Sequence, residues 1–260
     1  MNWIEALILG LVQGLTEFLP VSSSGHLEIG KHLLNVDLSQ SLEFSIVVHG
    51  ATVLSTIVVF WKDILGLFKS FFTFKKNEES AFVWKILVSM IPVGIVGVFF
   101  ADQVEQFFTG NVRFVGAMLI VTASLLALTM FAKSREKPIS YLDSFIIGIA
   151  QAMAVLPGIS RSGATIATGL MLGNKKTEVA RFSFLMVIIP ILGANFKELF
   201  SGEIGNTQDI SGFVLFVGFL AAFISGLLAC SWMIRIVKRG NLYYFALYCL
   251  IIGGIALIFG

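Results

Sequence analysis

The chain has 260 residues, of which 57% are hydrophobic and 13% charged, with a formal net charge of +2 and a mean hydropathy of +0.90. A soluble domain would carry about 25% charged residues, so the composition excludes one and describes a polytopic membrane protein. The net charge says little by itself; its distribution along the chain says more.

The first apolar stretch, about residues 1–32, opens with MNWIEALILG. It has no basic n-region and carries Glu5, so it is not expected to be a cleavable signal peptide. TEFLPVSSSGH, residues 16–26, interrupts it near its middle. Three runs over about 44–61, 83–101 and 112–131 follow, each near the ~20 apolar residues that cross a bilayer as a helix. A second broken stretch, about 141–173, carries LPGISRSGAT at 156–165. The last predicted spans are about 181–199, 212–232 and 242–260. Cys230 and Cys249 fall in apolar runs and read as inert. Proline removes a donor, and the residue before it is pushed toward extended backbone. Each broken stretch is therefore either one kinked span or a pair of half-helices that enter and leave on one side.

The basic residues choose between these options. With both stretches re-entrant, one side collects Lys62, Lys69, Lys75, Lys76, Lys85, Lys133, Arg135, Lys137, Lys175, Lys176, Arg181, Arg235, Lys238 and Arg239. The other side keeps Lys31, Arg113 and Lys197, and Arg161 stays inside the membrane. Fourteen against three marks the rich side as cytoplasmic. The fold class expected is an all-α integral membrane protein with six transmembrane helices and two re-entrant helical hairpins, both termini outside. The first hairpin then enters from outside and the second from the cytoplasm, so the halves, about 1–131 and 139–260 of one membrane domain, form an inverted-topology repeat. Gly10 and Gln13 recur as Gly148 and Gln151, and Ser24-Gly25 as Ser162-Gly163, all 138 positions on. SMIPVGIVG (89–97) also resembles VIIPILGAN (187–195). Inverted repeats with broken helices place their special backbone near the midplane, so the two polar tips are expected to meet in one site.

An ionisable residue at that depth is expensive and marks function by default; Glu17, His26 and Arg161 qualify. Gln13 precedes Glu17 by one helical turn, which puts an amide oxygen and a carboxylate on one face, a partial site for Mg²⁺ or Ca²⁺. Ser22, Ser23, Ser24 and Gly25, with Ser160, Ser162, Gly163 and Thr165, look like loops feeding helix starts, where N–H groups and hydroxyls hold phosphate. Arg161 adds a planar fork suited to phosphate oxygens. His26, three positions after Ser23, is close enough to act as its base or as a proton donor. Blander roles remain open: a structural Glu17–Arg161 ion pair, small-residue packing by the serines, or a transporter gate for a lipid phosphate or small anion. Glu43 and His49 are weaker signals; His49 reads as a satisfied polar residue and His32 as interfacial.

GLTEFLPVSSSGH (14–26) and PGISRSGAT (157–165), with FSFLMVIIP (182–190), closely resemble the signatures of the undecaprenyl pyrophosphate phosphatase family, the bacitracin-resistance proteins. The resemblance implies a bacterial plasma-membrane enzyme with a divalent cation and a site open to the outer face. It would remove the terminal phosphate of undecaprenyl diphosphate and recycle the carrier for peptidoglycan synthesis. It maps the family's metal pair onto Gln13 and Glu17, its serine and histidine onto Ser23 and His26, and its arginine onto Arg161. Some members carry glutamate where this chain has Gln13, so Glu17 must supply the anionic charge alone. The partners expected are the lipid substrate and the bilayer, with a homodimer allowed and no nucleic acid.

Overall fold

The computed structural model describes residues 1–36, 38–72, 77–108, 110–133, 135–200, 210–239 and 241–260. Among these residues the fold is all-helical, with one isolated bridge between Lys137 and Asn174. The helices are α1 (Trp3–Phe18), α2 (Ser23–Leu34), α3 (Leu38–Val59), α4 (Trp61–Phe72), α5 (Glu78–Phe99), α6 (Ala101–Glu105), α7 (Val112–Leu128), α8 (Tyr141–Met153), α9 (Arg161–Met171), α10 (Lys176–Met186), α11 (Ile188–Phe200), α12 (Gly212–Arg239) and α13 (Tyr243–Phe259). Large apolar side chains such as Phe68, Val98, Leu228 and Phe259 stay exposed, as expected of helices whose solvent is lipid.

Both broken stretches are built alike. Each opens on a capping box, Asn2 with Glu5 for α1 and Ser140 with Asp143 for α8, which satisfies orphan amides reciprocally. Each breaks at Leu-Pro and restarts on a serine cap. The Ser22 hydroxyl accepts from the Gly25 N–H, and the Ser160 hydroxyl from the Gly163 N–H. Each pair of helices folds back on itself. Gly30 of α2 lies against Leu9 of α1, and Gly169 of α9 against Ile147 of α8.

Close glycine contacts fix the directions of the neighbours. A Cβ on Gly10 would lie 2.5 Å from the Gly218 carbonyl, and one on Gly14 would lie 2.4 Å from that of Ala222, so α1 and α12 run parallel. Phe44 meets Gly218 and Ser55 meets Gly226, so α3 is parallel to α12 as well. Gly148 of α8 takes the same intimate place against Ser89 of α5, 2.4 Å from its carbonyl. In α7 and α13, a Cβ on Gly116 would lie 2.8 Å from the Gly253 carbonyl and one on Gly253 would lie 2.8 Å from that of Gly116. Gly260 lies against Val112, so these two helices are antiparallel.

Among the described residues, three helices are long and apolar enough to cross a membrane: Glu78–Phe99, Val112–Phe131 with its terminal 3₁₀ turn, and Gly212–Arg239. They answer the spans predicted at 83–101, 112–131 and 212–232. The run at 44–61 becomes Glu43–Val59, which continues into α4 across a 79° bend. The last run forms α13, a shorter helix of 17 residues. The run at 181–199 divides into α10 and α11 around Val187. Pro190 explains the break: it has no N–H to offer Met186, and its ring would collide with that carbonyl. Pro92 sits inside unbroken α5, so 89–97 and 187–195 belong to helices of different form.

Polar ties collect several basic segments at one end. Arg181 pairs with Asp63 at 2.7 Å and lies over the Phe82 ring. Lys137 pairs with Asp143, which accepts from Asn174. The Arg135 side chain lies beside Gly173, whose φ of +85° makes the α9–α10 turn. Lys75 and Lys76 lie outside the described residues.

Candidate functional site where two helix tips meet

The tips of the two broken stretches touch. The Gly25 Cβ position lies 3.0 Å from the Gly158 Cα, and the Ser162 hydroxyl donates to the Leu19 carbonyl at 3.1 Å. Between them lies Glu17, buried near the end of α1. Its Oε2 accepts from the Gln13 amide at 2.8 Å and from the Ser23 hydroxyl at 2.5 Å. Its Oε1 accepts from the Arg161 guanidinium. Ser23 and Arg161 are the first residues of α2 and α9 and stand 138 positions apart, like the other repeat pairs. The opening residue of each capped helix thus holds one oxygen of the same carboxylate. Ser22, which lies between Glu17 and Ser23 in sequence, has φ +69°. A non-glycine residue held there costs about 1–3 kcal/mol and sits where the chain must turn Ser23 back toward Glu17.

The other sequence-predicted residues divide by exposure. Ser23, Ser24, His26 and Arg161 are half-buried and reachable. Ser22 and Ser160 are buried caps, and their hydroxyls already hold the Gly25 and Gly163 amides. Gly163 packs against Pro20 and Gly25 against Gly158, so both glycines serve close approach. Thr165 is buried, donates to the Arg161 carbonyl and meets the Ser183 hydroxyl at 2.7 Å; it braces α9 on α10. The N–H groups of residues 23, 24, 161 and 162 lie in first helical turns, which have no intrahelical partner to satisfy them. Free first-turn donors of this kind suit an anion.

His26 does not turn toward Ser23. Its Nδ1 lies 2.8 Å from the Ser22 carbonyl and its Nε2 2.8 Å from the Tyr248 hydroxyl. His49 stands closer to the centre than its sequence context suggests. Its Nε2 is 3.9 Å from Glu17 Oε2, while its Nδ1 donates to the Ser45 carbonyl at 2.8 Å. Sequence reading missed Tyr248 and undervalued His49. An intramembrane histidine in α3 was the available signal for His49; nothing in the last apolar run distinguishes Tyr248.

Among the described residues no three His, Cys, Asp or Glu side chains gather as a metal cluster. The buried Gln13 Oε1 has no hydrogen-bond partner. An oxygen left over beside a carboxylate is a hard-cation donor set of the partial kind that substrate phosphates complete, so the residues fit a divalent ion.

The family model described as Bacitracin resistance protein BacA matches residues 6–255. A protein of Parabacteroides distasonis named undecaprenyl-diphosphatase is 58% identical over 256 residues, 97% of this chain and 96% of its own. One of Bacteroides fragilis with the same name is 56% identical over 262 residues, covering 99% and 98%. Another, from Christiangramia forsetii, is 54% identical over 263 residues, covering 100% and 98%.

Proposed function

The chain belongs to the bacitracin resistance protein BacA family, and from that premise we propose that it is an undecaprenyl-diphosphatase, as its relatives are named. It hydrolyses the terminal phosphate of undecaprenyl diphosphate, recycles the lipid carrier for wall synthesis and confers bacitracin resistance. The observation that carries the mechanism is Glu17, with the Ser23 hydroxyl on one oxygen and Arg161 on the other. A nucleophile within hydrogen-bond reach of a base is the signature of covalent catalysis.

The diphosphate enters between the tips and draws Arg161 from Glu17 onto its terminal phosphoryl oxygens. The free first-turn amides of α2 and α9 share that charge. Ser23 Oγ attacks the terminal phosphorus as its proton passes to Glu17. The bridging P–O bond breaks, and undecaprenyl phosphate departs with the bond's electron pair. Water then attacks the phosphoserine, losing a proton to His26 Nε2, while Glu17 returns its proton to Ser23 Oγ and phosphate is released. Glu17 and Gln13 Oε1 would hold Mg²⁺ or Ca²⁺, which supplies further charge neutralisation on the diphosphate.

The placement we propose is the bacterial plasma membrane, with six spans, two re-entrant hairpins and a site opening outward. Its support is directional. α1 and α3 both run parallel to α12, so α2 must bring the chain back between them. The matched caps, the reciprocal α1–α12 and α8–α5 contacts and the mutual Gly116–Gly253 contact support two inverted halves.

The test is phosphate release from undecaprenyl diphosphate by purified protein in detergent. Wild type should release phosphate, and Ser23→Ala should lose about a thousandfold or more in kcat. Rapid quenching in a single turnover should trap labelled enzyme in wild type and none in Ser23→Ala. Full activity of Ser23→Ala would remove the serine from the chemistry.

A further inference from the structure

We infer that Tyr248 is a positioning residue for the reaction, acting through His26. This rests on the role proposed for His26 above. A carbonyl oxygen only accepts, so the 2.8 Å contact between His26 Nδ1 and the Ser22 carbonyl places a proton on Nδ1. In the neutral ring the other nitrogen, Nε2, then carries the lone pair. That lone pair faces the Tyr248 hydroxyl at 2.8 Å, and the hydroxyl is its donor. The two rings are nearly parallel, with planes 9° apart and centroids 5.5 Å apart. The imidazole is thus held at both nitrogens and along its plane, in one tautomer and one orientation.

The two holds come from different halves of the chain. Ser22 is the cap of the catalytic helix α2; Tyr248 stands on α13, 222 residues from His26. Tyr248 is 41% exposed, so it does not stand in packed core. No other side chain is hydrogen-bonded to His26 among the described residues. The Tyr248 oxygen occupies the position from which Nε2 must take a proton, and the attacking water replaces it there once substrate is bound. A phenol is suited to this duty: it donates to the neutral ring and can turn away without leaving a buried charge.

The prediction is a kcat effect without a binding effect. Tyr248→Phe keeps the ring contact and removes the hydroxyl. It should lower kcat about tenfold, with KM for undecaprenyl diphosphate and the unfolding temperature unchanged. His26→Ala should lose more, and the double variant no more than His26→Ala alone, because the two act as one unit. In wild type, nitrogen NMR of labelled histidine should place the neutral ring's proton of His26 on Nδ1. Full kcat in Tyr248→Phe, losses that add in the double variant, or the proton on Nε2 would each overturn the inference. Full activity in His26→Ala would instead overturn the role given to His26 above.

Discussion

At the scale of single residues, the site is an economy of one buried carboxylate. Glu17 is only 8% exposed and is answered by Arg161. Removing one partner of a buried pair leaves an uncompensated charge and costs about 3–5 kcal/mol, whereas removing both can be nearly neutral. Arg161→Ala should therefore lose both activity and several degrees of unfolding temperature in detergent. Arg161→Ala combined with Glu17→Gln should recover most of the stability and none of the activity. A double variant no more stable than Arg161→Ala would mean that the pair is not electrostatically coupled. Gln13 yields a second prediction. Gln13→Glu replaces its amide donor to Glu17 with a second carboxylate, so Mn²⁺ binding measured by calorimetry should tighten, and the metal-free protein should lose stability. Unchanged binding would separate residue 13 from the metal. Gln13, Glu17, Ser23, His26 and Arg161 were legible because they are polar residues in apolar sequence. The direction in which each points was not. Ser23 turns to Glu17 because of the positive φ at Ser22, and His26 meets a partner 222 positions away; local spacing encodes neither.

At the scale of elements, small residues position the carboxylate. α1 reaches α12 so closely that a Cβ on Gly14 would lie 2.0 Å from the Ser225 hydroxyl and 2.8 Å from the Gly226 nitrogen. One of these obstacles is backbone and cannot turn aside. Gly14→Ala should lift α1 from α12, displace Glu17 one turn on, and cost about 1–3 kcal/mol together with most of the activity. Gly94→Ala is the matched control, since nothing lies within 4 Å of its Cβ position. There, the lower helix propensity of glycine predicts unchanged activity and stability equal or higher by about 0.4–1 kcal/mol. Equal behaviour of the two variants in an unfolding assay would refute the packing argument. Most helices were legible from apolar length, and both Leu-Pro breaks from proline chemistry. The division of 181–199 was not, because Pro190 breaks one helix while Pro92 is carried inside another. Proline alone does not say whether neighbours will satisfy the freed carbonyl.

At the scale of the whole molecule, the question is whether two half-depth hairpins approach from opposite faces. The contacts already limit the answers. If α1 and α2 together crossed the membrane, α3 would have to run against α1, yet both follow α12. On the proposed topology, the charge bias, which was legible from sequence, puts the basic end in the cytoplasm. The pairing of α7 with α13 was not legible, because mutual glycine contacts emerge only after both helices are built. Orientation can be measured by single-cysteine labelling with an impermeant maleimide, since native Cys230 and Cys249 are fully buried. Cysteines at Trp3 and at His32 flank the first hairpin on exposed positions. On the proposed topology both ends of that hairpin face outward, so both should react in intact cells. Cysteines at Arg135 and Lys238, also exposed, should react only after the membrane is opened. Labelling of Trp3→Cys and His32→Cys from opposite sides would make the first stretch a full crossing. It would put the N-terminus on the face opposite His32 and set α1 against α3, contrary to their shared direction along α12; the fourteen basic residues, all later in the chain, would still share a face. Labelling of both from outside, with Arg135→Cys and Lys238→Cys reacting only after opening, leaves one geometry in which the Ser23 tip descends from the outer leaflet and the Arg161 tip rises from the inner one. Glu17 is then the point at which the two leaflets' halves are chemically joined, and a diphosphate arriving from outside meets both at once.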